Sequence, residues 1–347
     1  MNDTMTFIKF KKKGKIGGDE GQNSDVFLAD DEQLGNELVI KQIEKSKFNQ
    51  EDYFMEAHMM YASKHPNVVE IQYASQDDEY IYLAMPYYKN GSLNSLMEEK
   101  FLSVREIIKY SLDLLSGISF IHSKKLLHLD IKPTNILINN EGKAVIADFG
   151  LSRYTDDNGI AEQQAFYMKH VDPERCKHSA RTVQSDIYQI GLTMYRLCNG
   201  NANFLEQYND KITGQKLSLE DAVKTGCFPD RQMFLPHIPK ELQKVILKAL
   251  NVDTNLRYSN TIEMMNAISI IDSNLDWIYT GDDCHPYYKY AGEYYFEVEV
   301  CDCGKNIIST KTNLCSKRKT RVHDCCLICD TGKGGVAKTL AEVLCTL

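Results

Sequence analysis

The sequence predicts an α+β protein built from two lobes, followed by a small C-terminal β/α module. Three observations lead to this prediction. Short alternating and β-branched runs, which are typical of strands, dominate the first 88 residues. From Leu93 onwards, apolar residues recur mostly at helical spacing. After about residue 274 strand-like runs return, and only three of the 11 cysteines (Cys176, Cys198 and Cys227) precede this point.

The first lobe is predicted to be a sheet with one helix. Its strand-like runs are TFIKFK (6–11), DVFLAD (25–30), ELVIKQI (37–43), VVEIQYAS (68–75) and YIYLAMPYY (80–88). A glycine-rich stretch separates the first two runs, as a tight turn requires. Residues 50–64 combine strong helix formers with apolar residues at helical spacing, so they predict a helix inside the β-rich lobe.

The second lobe is predicted to be helical, with one pair of short strands. The helical runs are 105–124, 185–200, 241–251 and 261–271, and the strands are NILIN (135–139) and AVIAD (144–148). In the module, YYFEVEV (294–300), NIISTKT (306–312) and RKTRVHDCCLI (318–328) predict strands, and VAKTLAEVLCTL (336–347) predicts a terminal helix.

Length and composition limit the functional classes. A chain of 347 residues is long enough for about two domains. The net charge is −8, so we do not expect nucleic-acid binding through the global field. No apolar run approaches about 18 residues, and the N-terminus lacks a secretory pattern. We therefore expect a cytoplasmic protein that does not enter a membrane, with cysteines present as thiols or metal ligands.

The strongest chemical signal is the run HLDIKPTN (128–135), followed by DFG (148–150). Phosphoryl transfer needs a carboxylate near the attacking hydroxyl, oxygen ligands for Mg²⁺ and a cation on the phosphates. Asp130 and Asn135 precede one short strand, and Asp148 ends the next. If the two strands form a hairpin, all three side chains enter one cleft.

These motifs resemble the catalytic loop and the metal-binding Asp-Phe-Gly of the eukaryotic-type (Hanks-type) serine/threonine protein kinases. The resemblance covers residues 8–272 and implies the bilobal protein-kinase fold. It places a kinase domain at 1–272, with an N-lobe at about 1–88 and a C-lobe at about 89–272, and leaves 273–347 as a Cys-rich accessory module. Further landmarks follow in the family's order: Leu38-Val39-Ile40-Lys41, Glu56, Met85-Pro86-Tyr87-Tyr88, Asp172-Pro173-Glu174, Asp186 and Arg257.

The resemblance implies a protein kinase that uses ATP and Mg²⁺ and acts on Ser/Thr hydroxyls of protein substrates. The implied catalytic residues are Asp130 as base, Lys132 as the cation beside the phosphoryl group, and Asn135, which together with Asp148 holds Mg²⁺. The implied ATP pocket comprises Gly18, Gly21, Ser24, Val26, Val39, Lys41, Glu56, Met85, Pro86, Tyr88 and Leu137.

The family also implies supporting contacts. Glu56 pairs with Lys41, Glu174 pairs with Arg257, and Asp186 anchors the catalytic loop. A buried column links the lobes through Met60, Ile71, His128 and Phe149.

The phosphate loop departs from the family pattern. Counted back from Val26, Asp19, Gly21 and Ser24 stand where three glycines are usual, and an extra turn residue would let Gly18 serve as the first. Glycine allows backbone N–H groups to approach phosphate closely. The departure leaves a pseudokinase, acting as an ATP-binding or scaffolding module, as the alternative. A small-molecule kinase of related fold is the other alternative, opposed by the Asp-Phe-Gly and Pro-Glu motifs.

Two positions bear on activation and specificity. Leu129 replaces the arginine that often receives an activation-segment phosphate, so phosphorylation there is not expected to be required; alternatively, Arg153 or Lys169 takes its role. Tyr167 stands where a threonine is usual, whereas Lys132 favours serine/threonine specificity.

The module offers one metal hypothesis and one partner hypothesis. Cys301, Cys303, Cys326 and Cys329 resemble two half-sites for Zn²⁺, but the Cys-x-Cys pair is tighter than the usual spacing, and thiols packed in a strand face are the favoured interpretation. Gly332–Thr339 resembles a P-loop but predicts only a turn before the last helix, and the lysines of 9–15 and 317–321 predict solvated strand faces. We expect 273–347 to act as a docking or regulatory element for a protein partner.

Overall fold

A computed structural model of the chain describes residues 8–16, 24–33, 35–47, 54–62, 64–163, 170–176, 179–214, 217–284, 286–301, 306–328 and 335–347. The N-lobe is a five-stranded antiparallel sheet with one helix. Its elements are β1 Phe10–Lys15, β2 Ser24–Asp31, β3 Asn36–Glu44, α1 Met55–Ala62, β4 Tyr73–Gln76 and β5 Tyr80–Pro86, and the strand order is β1-β2-β3-β5-β4.

Lysines in and just before β1 form ion pairs with acidic residues of β2, of β3 and of the turn between them. Lys9 pairs with Glu32 at 2.8 Å, and Lys13 pairs with Asp30 at 2.8 Å and with Glu37 at 2.9 Å. Opposite charges across neighbouring strands stabilise a sheet modestly and neutralise its edge. These lysines therefore belong to a solvated, paired strand face.

The C-lobe consists mainly of helices. They are α2 Leu93–Glu99, α3 Val104–Ser123, α4 Val183–Asn199, α5 Asn201–Tyr208, α6 Leu219–Lys224, α7 Lys240–Ala249 and α8 Thr261–Ser269. Helix α3 begins at a capping box in which Ser103 and Glu106 satisfy each other's backbone N–H groups. Helix α4 is buried over nearly its whole length and packs against α3, α5 and α7, at the centre of the lobe.

Short two-stranded sheets in the C-lobe carry the loops of interest. The strands are β6 Leu126–Leu127, β7 Ile136–Ile138, β8 Ala144–Ile146, β9 Arg153–Tyr154, β10 Ala161–Glu162 and β11 Ala180–Arg181. β6 pairs with β9, β7 with β8, and β10 with β11. The β7–β8 pairing is the hairpin that the sequence predicts.

After the C-lobe, a second mixed unit forms with its own core. Its elements are β12 Ile278–Tyr279, β13 Tyr287–Ala291, β14 Tyr294–Cys301, β15 Asn306–Asn313, β16 Lys319–Arg321, β17 Leu327–Ile328 and α9 Gly335–Thr346. Trp277, Tyr287, Val298 and Leu344 are fully buried in this core. Trp277 Nε1 donates to the carbonyl oxygen of Leu344 at 3.0 Å, which ties the start of the sheet to α9.

Aromatic contacts and one ion pair join this unit to the C-lobe. The ring of Tyr279 packs edge-on against Phe101 at 4.6 Å, and Tyr287 packs against His237 at 5.4 Å. Arg105 makes a bidentate contact with Asp276, at 2.7 and 2.9 Å. The unit therefore lies against the α2–α3 connection, the first turn of α3 and the residues just before α7.

The architecture confirms the predicted α+β fold with a β-rich lobe, a helical lobe and a C-terminal sheet. Several segments differ from the sequence prediction. The strand predicted over 6–11 begins at Phe10 and continues to Lys15, and the C-lobe contains the pairs β6–β9 and β10–β11 in addition to the predicted pair. The run 68–75 becomes a strand only from Tyr73, and 318–328 forms two short strands around a 3₁₀ turn. Within the described ranges, every helix is too short or too polar to cross a membrane.

Candidate active site

Asp130, Lys132 and Asn135 converge in the loop between β6 and β7. Asn135 Nδ2 donates to Asp130 Oδ2 at 2.8 Å and to the Asp130 carbonyl oxygen at 2.9 Å. Lys132 Nζ lies 3.1 Å from the same Oδ2 atom. All three side chains are buried, so each is fixed in one arrangement before any substrate arrives.

Side chains of helix α4 form hydrogen bonds with the backbone of the loop between β6 and β7. The buried carboxylate of Asp186 accepts hydrogen bonds from the backbone N–H groups of His128 at 3.0 Å and Leu129 at 2.8 Å. His122 Nε2 donates to the same carboxylate at 2.7 Å. One helical turn on, the side chain of Gln189 accepts from Ile131 N at 2.9 Å and donates to Leu129 O at 3.0 Å. The loop's backbone is thus bonded to a rigid helix at successive residues.

A second cluster of charges lies between the lobes. Lys41 Nζ lies 2.7 Å from Glu56 Oε1 and 2.7 Å from Asp148 Oδ1. The strand β3 supplies the lysine, α1 supplies the glutamate, and the turn after β8 supplies the aspartate. One ammonium group therefore joins the N-lobe helix to the C-lobe turn.

The electrostatics of this triad follow from its burial. Burial disfavours the charged Lys41, but the two carboxylates outweigh it and hold the pKa of Lys41 above its usual range. The Asp148 side chain is 44% exposed, but the protein around it still disfavours its charge; the ammonium of Lys41 outweighs this and holds the pKa of Asp148 well below its usual range. Burial raises the pKa of Glu56, which shares the ammonium with Asp148. Asp148 is thus the firmly ionised partner.

The candidate adenine-binding residues share one face of the N-lobe sheet. Val26 is paired with Lys41 across β2 and β3, and Val39 is paired with Met85 across β3 and β5. Because paired residues share a face and alternate residues repeat it, these four side chains point the same way, and Ser24 joins them. Pro86 ends β5, and Tyr88 follows it.

Of the remaining predicted pocket residues, one lies in the C-lobe and two lie outside the described residues. Leu137 lies in β7, two residues after Asn135, and packs against the main core. Gly18 and Gly21 lie outside the described residues, so their role stays a prediction.

The four residues predicted to form the column lie in the buried interior around the site, and two of them are in direct ring contact. The rings of His128 and Phe149 pack edge-on at 5.1 Å. Met60 belongs to the same hydrophobic cluster as Phe149, and Ile71 is partly buried against it. Burial lowers the pKa of His128, and its Nε2 lies 3.2 Å from the carbonyl oxygen of Ala147. A neutral, internally bonded imidazole fits the structural role predicted for it.

Leu129 occupies an apolar environment. It is buried, has a positive φ of 64°, and clusters with Leu127, Ala161 and Val183. Ala161 belongs to β10, which lies in the segment that follows Asp-Phe-Gly. Leu129, which replaces the family's arginine, therefore links this segment to the catalytic loop by apolar contact with Ala161. Arg153 is half-buried, and Tyr167 and Lys169 lie outside the described residues.

The end of the same segment is anchored by buried ion pairs. Glu174 Oε1 lies 2.7 Å from Arg257, whose side chain is fully buried. Burial raises the pKa of Glu174 to about 7, against the opposing charge of Arg257. Asp172 lies 3.7 Å from Arg181 of β11. The predicted pairing of Glu174 with Arg257 is present.

The described residues do not support a zinc site in the C-terminal module. Cys303 and Cys329, together with the side chain of Cys301, lie outside the described part. Elsewhere in the described ranges, His, Cys, Asp and Glu side chains form no cluster of three that could hold a metal ion. The thiol of Cys326 lies near the carbonyl oxygens of Val322 and Ser309, at 3.4 and 3.8 Å, and so packs within the sheet.

Several residues that support the site were not predicted from sequence. His122, Gln189, His170 and Arg196 contact the catalytic loop or the residues that hold it. Gln189 could have been found, because it lies three residues after Asp186 and so on the same helical face. The other three had no local signal, because their contacts join distant segments.

The fold, the catalytic loop and the ion-paired lysine are those of the protein kinase class. The sequence model of the protein kinase domain matches residues 10–269, and the chain belongs to this family.

Curated relatives carry the same domain within longer proteins. The probable serine/threonine-protein kinase PknB of Lactococcus lactis is 26% identical over 257 residues, which cover 72% of this chain and 40% of that protein. The serine/threonine-protein kinase PrkC of Bacillus subtilis is 27% identical over 256 residues, covering 72% of this chain and 38% of that protein. The serine/threonine-protein kinase PknD of Protochlamydia amoebophila is 23% identical over 313 residues, covering 80% and 31%. The chain thus spans well under half of each.

Proposed function

We propose that this chain is a serine/threonine protein kinase that transfers the γ-phosphoryl group of Mg-ATP to protein hydroxyls. The observation that carries the proposal is the convergence on Asp130. Its Oδ2 atom is held by Asn135 at 2.8 Å and by Lys132 at 3.1 Å. A carboxylate fixed between an amide and an ammonium can orient a substrate hydroxyl and receive its proton.

The residues present fit Mg-ATP. Because the amide nitrogen of Asn135 donates to Asp130, its Oδ1 oxygen is the atom that a cation can use. Asp148 offers carboxylate oxygens on a side chain that is 44% exposed. Amide and carboxylate oxygens are ligands that Mg²⁺ accepts. When Mg-ATP is bound, its ATP supplies the phosphoryl group and its Mg²⁺ ion neutralises charge on the phosphates.

The chain's own side chains then divide the work. Lys41, steered by Glu56, places its ammonium beside the phosphates. Asp130 orients the hydroxyl and receives its proton. Lys132 neutralises charge on the transferred group, so catalysis consists mainly of positioning and electrostatic stabilisation. Serine/threonine specificity is supported by Lys132 and by the names of the curated relatives. The retained ionic residues argue against a pseudokinase.

The test is transfer of labelled γ-phosphate with Mg²⁺ to a generic protein substrate. Asp130→Asn and Asp148→Asn should each abolish incorporation, because the first removes the base and the second a metal ligand. Asp157→Asn is the matched control, since the Asp157 side chain is 99% exposed. Acid-stable label on serine or threonine supports the proposed class. Absence of incorporation with ATP bound would favour the pseudokinase.

We also propose the division of the chain into a kinase domain at 1–272 and an accessory module at 273–347 that binds a protein partner. Separate hydrophobic clusters in the two parts support this division. A cytoplasmic location is proposed as well, supported by the free thiols of the cysteines whose side chains the structure describes. Tagged full-length chain should recover a partner that a chain ending at residue 274 does not.

A further inference from the structure

His170 joins the segment after Asp-Phe-Gly to the catalytic loop. The imidazole is 1% exposed, and its Nδ1 atom lies 3.1 Å from the carbonyl oxygen of Ile131. Ile131 lies between Asp130 and Lys132, the two charged residues of the proposed reaction. A shift in its carbonyl group therefore displaces both neighbours.

Arg196 of α4 fixes the other side of the ring. Its NH1 group lies 2.9 Å from His170 Nε2. An arginine can only donate, so Nε2 accepts, and the proton of a neutral ring must be on Nδ1, where it is donated to Ile131. The two contacts together select one tautomer.

The arginine is itself held in place. Its guanidinium donates to Asn201 Oδ1 at 2.6 and 3.1 Å and to Asn94 Oδ1 at 3.1 Å. The face of the guanidinium lies 5.1 Å from the ring centre of Phe204. The imidazole thus bonds to a guanidinium group that is already held in place on a helix, and it restricts the movement of the Ile131 carbonyl group through its second hydrogen bond.

We propose that His170 is a positioning residue, which holds Asp130 and Lys132 in their reactive arrangement through a neutral, Nδ1-protonated imidazole bonded to Ile131 and Arg196. This inference rests on the proposed kinase activity. It concerns a histidine and an arginine, 26 residues apart, that the resemblance does not single out.

Further contacts of Ile131 show why the imidazole matters. Gln189 accepts from Ile131 N at 2.9 Å, and Thr193 Oγ1 lies 3.4 Å from Ile131 O. The hydroxyl contact is at the long end of hydrogen bonding, so His170 is the shorter donor to this carbonyl. Burial, followed by the charges of Arg196 and Lys132, holds the pKa of His170 well below its usual range, in agreement with a neutral ring.

The first test compares three substitutions at this position in the full chain. His170→Leu removes both contacts while keeping an apolar side chain of similar size. His170→Asn keeps a donor near the Nδ1 position, and His170→Gln keeps an acceptor near the Nε2 position. We expect His170→Leu to lower kcat by about ten- to hundredfold, because small misplacements of reacting groups have effects of this size. KM for ATP should stay within about twofold, and His170→Asn should retain more activity than His170→Gln.

His237→Leu is the matched control, because His237 is equally buried but packs against Tyr287 of the C-terminal module. It should keep the wild-type kcat at pH 7.5. Wild-type kcat in His170→Leu would overturn the proposal. Equal losses of kcat in all four variants, in proportion to their losses in thermal stability, would also overturn it, because they would indicate packing alone.

A second measurement does not depend on turnover. Long-range ¹H–¹⁵N correlation spectra report the tautomer of each imidazole, and the His170→Asn spectrum identifies the signal that belongs to His170. A neutral Nδ1–H ring supports the proposal, and an Nε2–H ring overturns it. If the wild-type chain transferred no phosphate but showed the Nδ1–H ring, the proposed function would fail while this arrangement of the loop would stand.

Discussion

Asp186 Oδ1 lies 2.8 Å from the backbone nitrogen of Leu129, and this contact holds a leucine at a φ of 64°. A non-glycine residue in the left-handed region costs about 1 to 2 kcal/mol. The carboxylate offsets this cost, because it also accepts from His128 N and from His122. The strained backbone places the next residue, Asp130, at the centre of the candidate site.

Asp186→Asn should therefore reduce both stability and turnover. The substitution replaces one carboxylate oxygen by an NH2 group. Only one oxygen is then left to accept from Leu129 N, His128 N and His122, and the new NH2 group faces N–H donors that it cannot satisfy. We expect a loss of about 2 to 3 kcal/mol in the free energy of unfolding, measured by urea denaturation. At temperatures where the variant is folded, kcat should fall at least tenfold. Asp157→Asn is the control, and equal behaviour of the two variants would contradict the role of Asp186.

Dephosphorylation should leave the activity unchanged. A leucine at 129 cannot bind a phosphate, and its side chain already packs against Ala161 and Val183 beside the segment. We expect phosphatase-treated chain, checked by intact mass, to keep kcat within about twofold, because no charge-assisted contact of the kind phosphate makes with arginine is lost. A tenfold decrease would mean that another basic residue, such as Arg153, receives a phosphate.

Local signals in the sequence predicted most of the fold and the central residues of the site. The strands 135–139 and 144–148 are contiguous runs, so periodicity was sufficient to predict them. The roles of the residues around Asp130 were implied by the resemblance to the kinase family. The start of the predicted strand 68–75 was wrong for a tertiary reason. Val69 N donates to Ile146 O, and Val68 bridges to Ile146, so this segment joins the C-lobe before the sheet begins.

The contacts of His170 could not be predicted in the same way. Nothing adjacent to His170 in the sequence indicates that it will meet Ile131, 39 residues earlier, or Arg196, 26 residues later. His170, Ile131 and Arg196 come together because α4 packs against both the catalytic loop and the segment that carries His170. The roles of cysteines in the C-terminal module depend likewise on which strands pair, which spacing does not determine.

The single tryptophan makes the coupling of the module to the C-lobe measurable. Trp277 is buried in the module, whereas most helices, which dominate far-UV circular dichroism, lie in the C-lobe. Because Tyr279 packs against both Phe101 and Tyr287, we expect the fluorescence and dichroism unfolding transitions to coincide. Tyr279→Ala should move the fluorescence midpoint to lower denaturant than the dichroism midpoint.

Tyr290→Ala is the control for this experiment, because Tyr290 is 59% exposed and lies on the opposite sheet face. Its two transitions should remain coincident. Separate transitions in the wild-type chain would show that the aromatic contacts do not couple the two parts.

Buried neutral histidines should make the fold sensitive to acid. Burial lowers the pKa of His237 from 6.5 to about 4, and it also lowers the pKa of His128 and of His170. Below pH 6.5 the histidines of the unfolded chain therefore become protonated, whereas these buried imidazoles of the folded chain stay neutral. The stability that the neutral rings contribute is present above pH 6.5 and is lost as the pH falls towards 4.

His237→Leu tests the sign and the size of this effect. Removing that one imidazole should recover about 3 kcal/mol of the stability that the wild type loses between pH 7.5 and pH 4, as measured by urea denaturation at each pH. Phe204→Leu, a buried substitution without a titratable group, should lower the stability by the same amount at both values. If His237→Leu kept the wild-type slope with pH, the imidazole of His237 would have to be protonated in the folded chain, which its burial opposes.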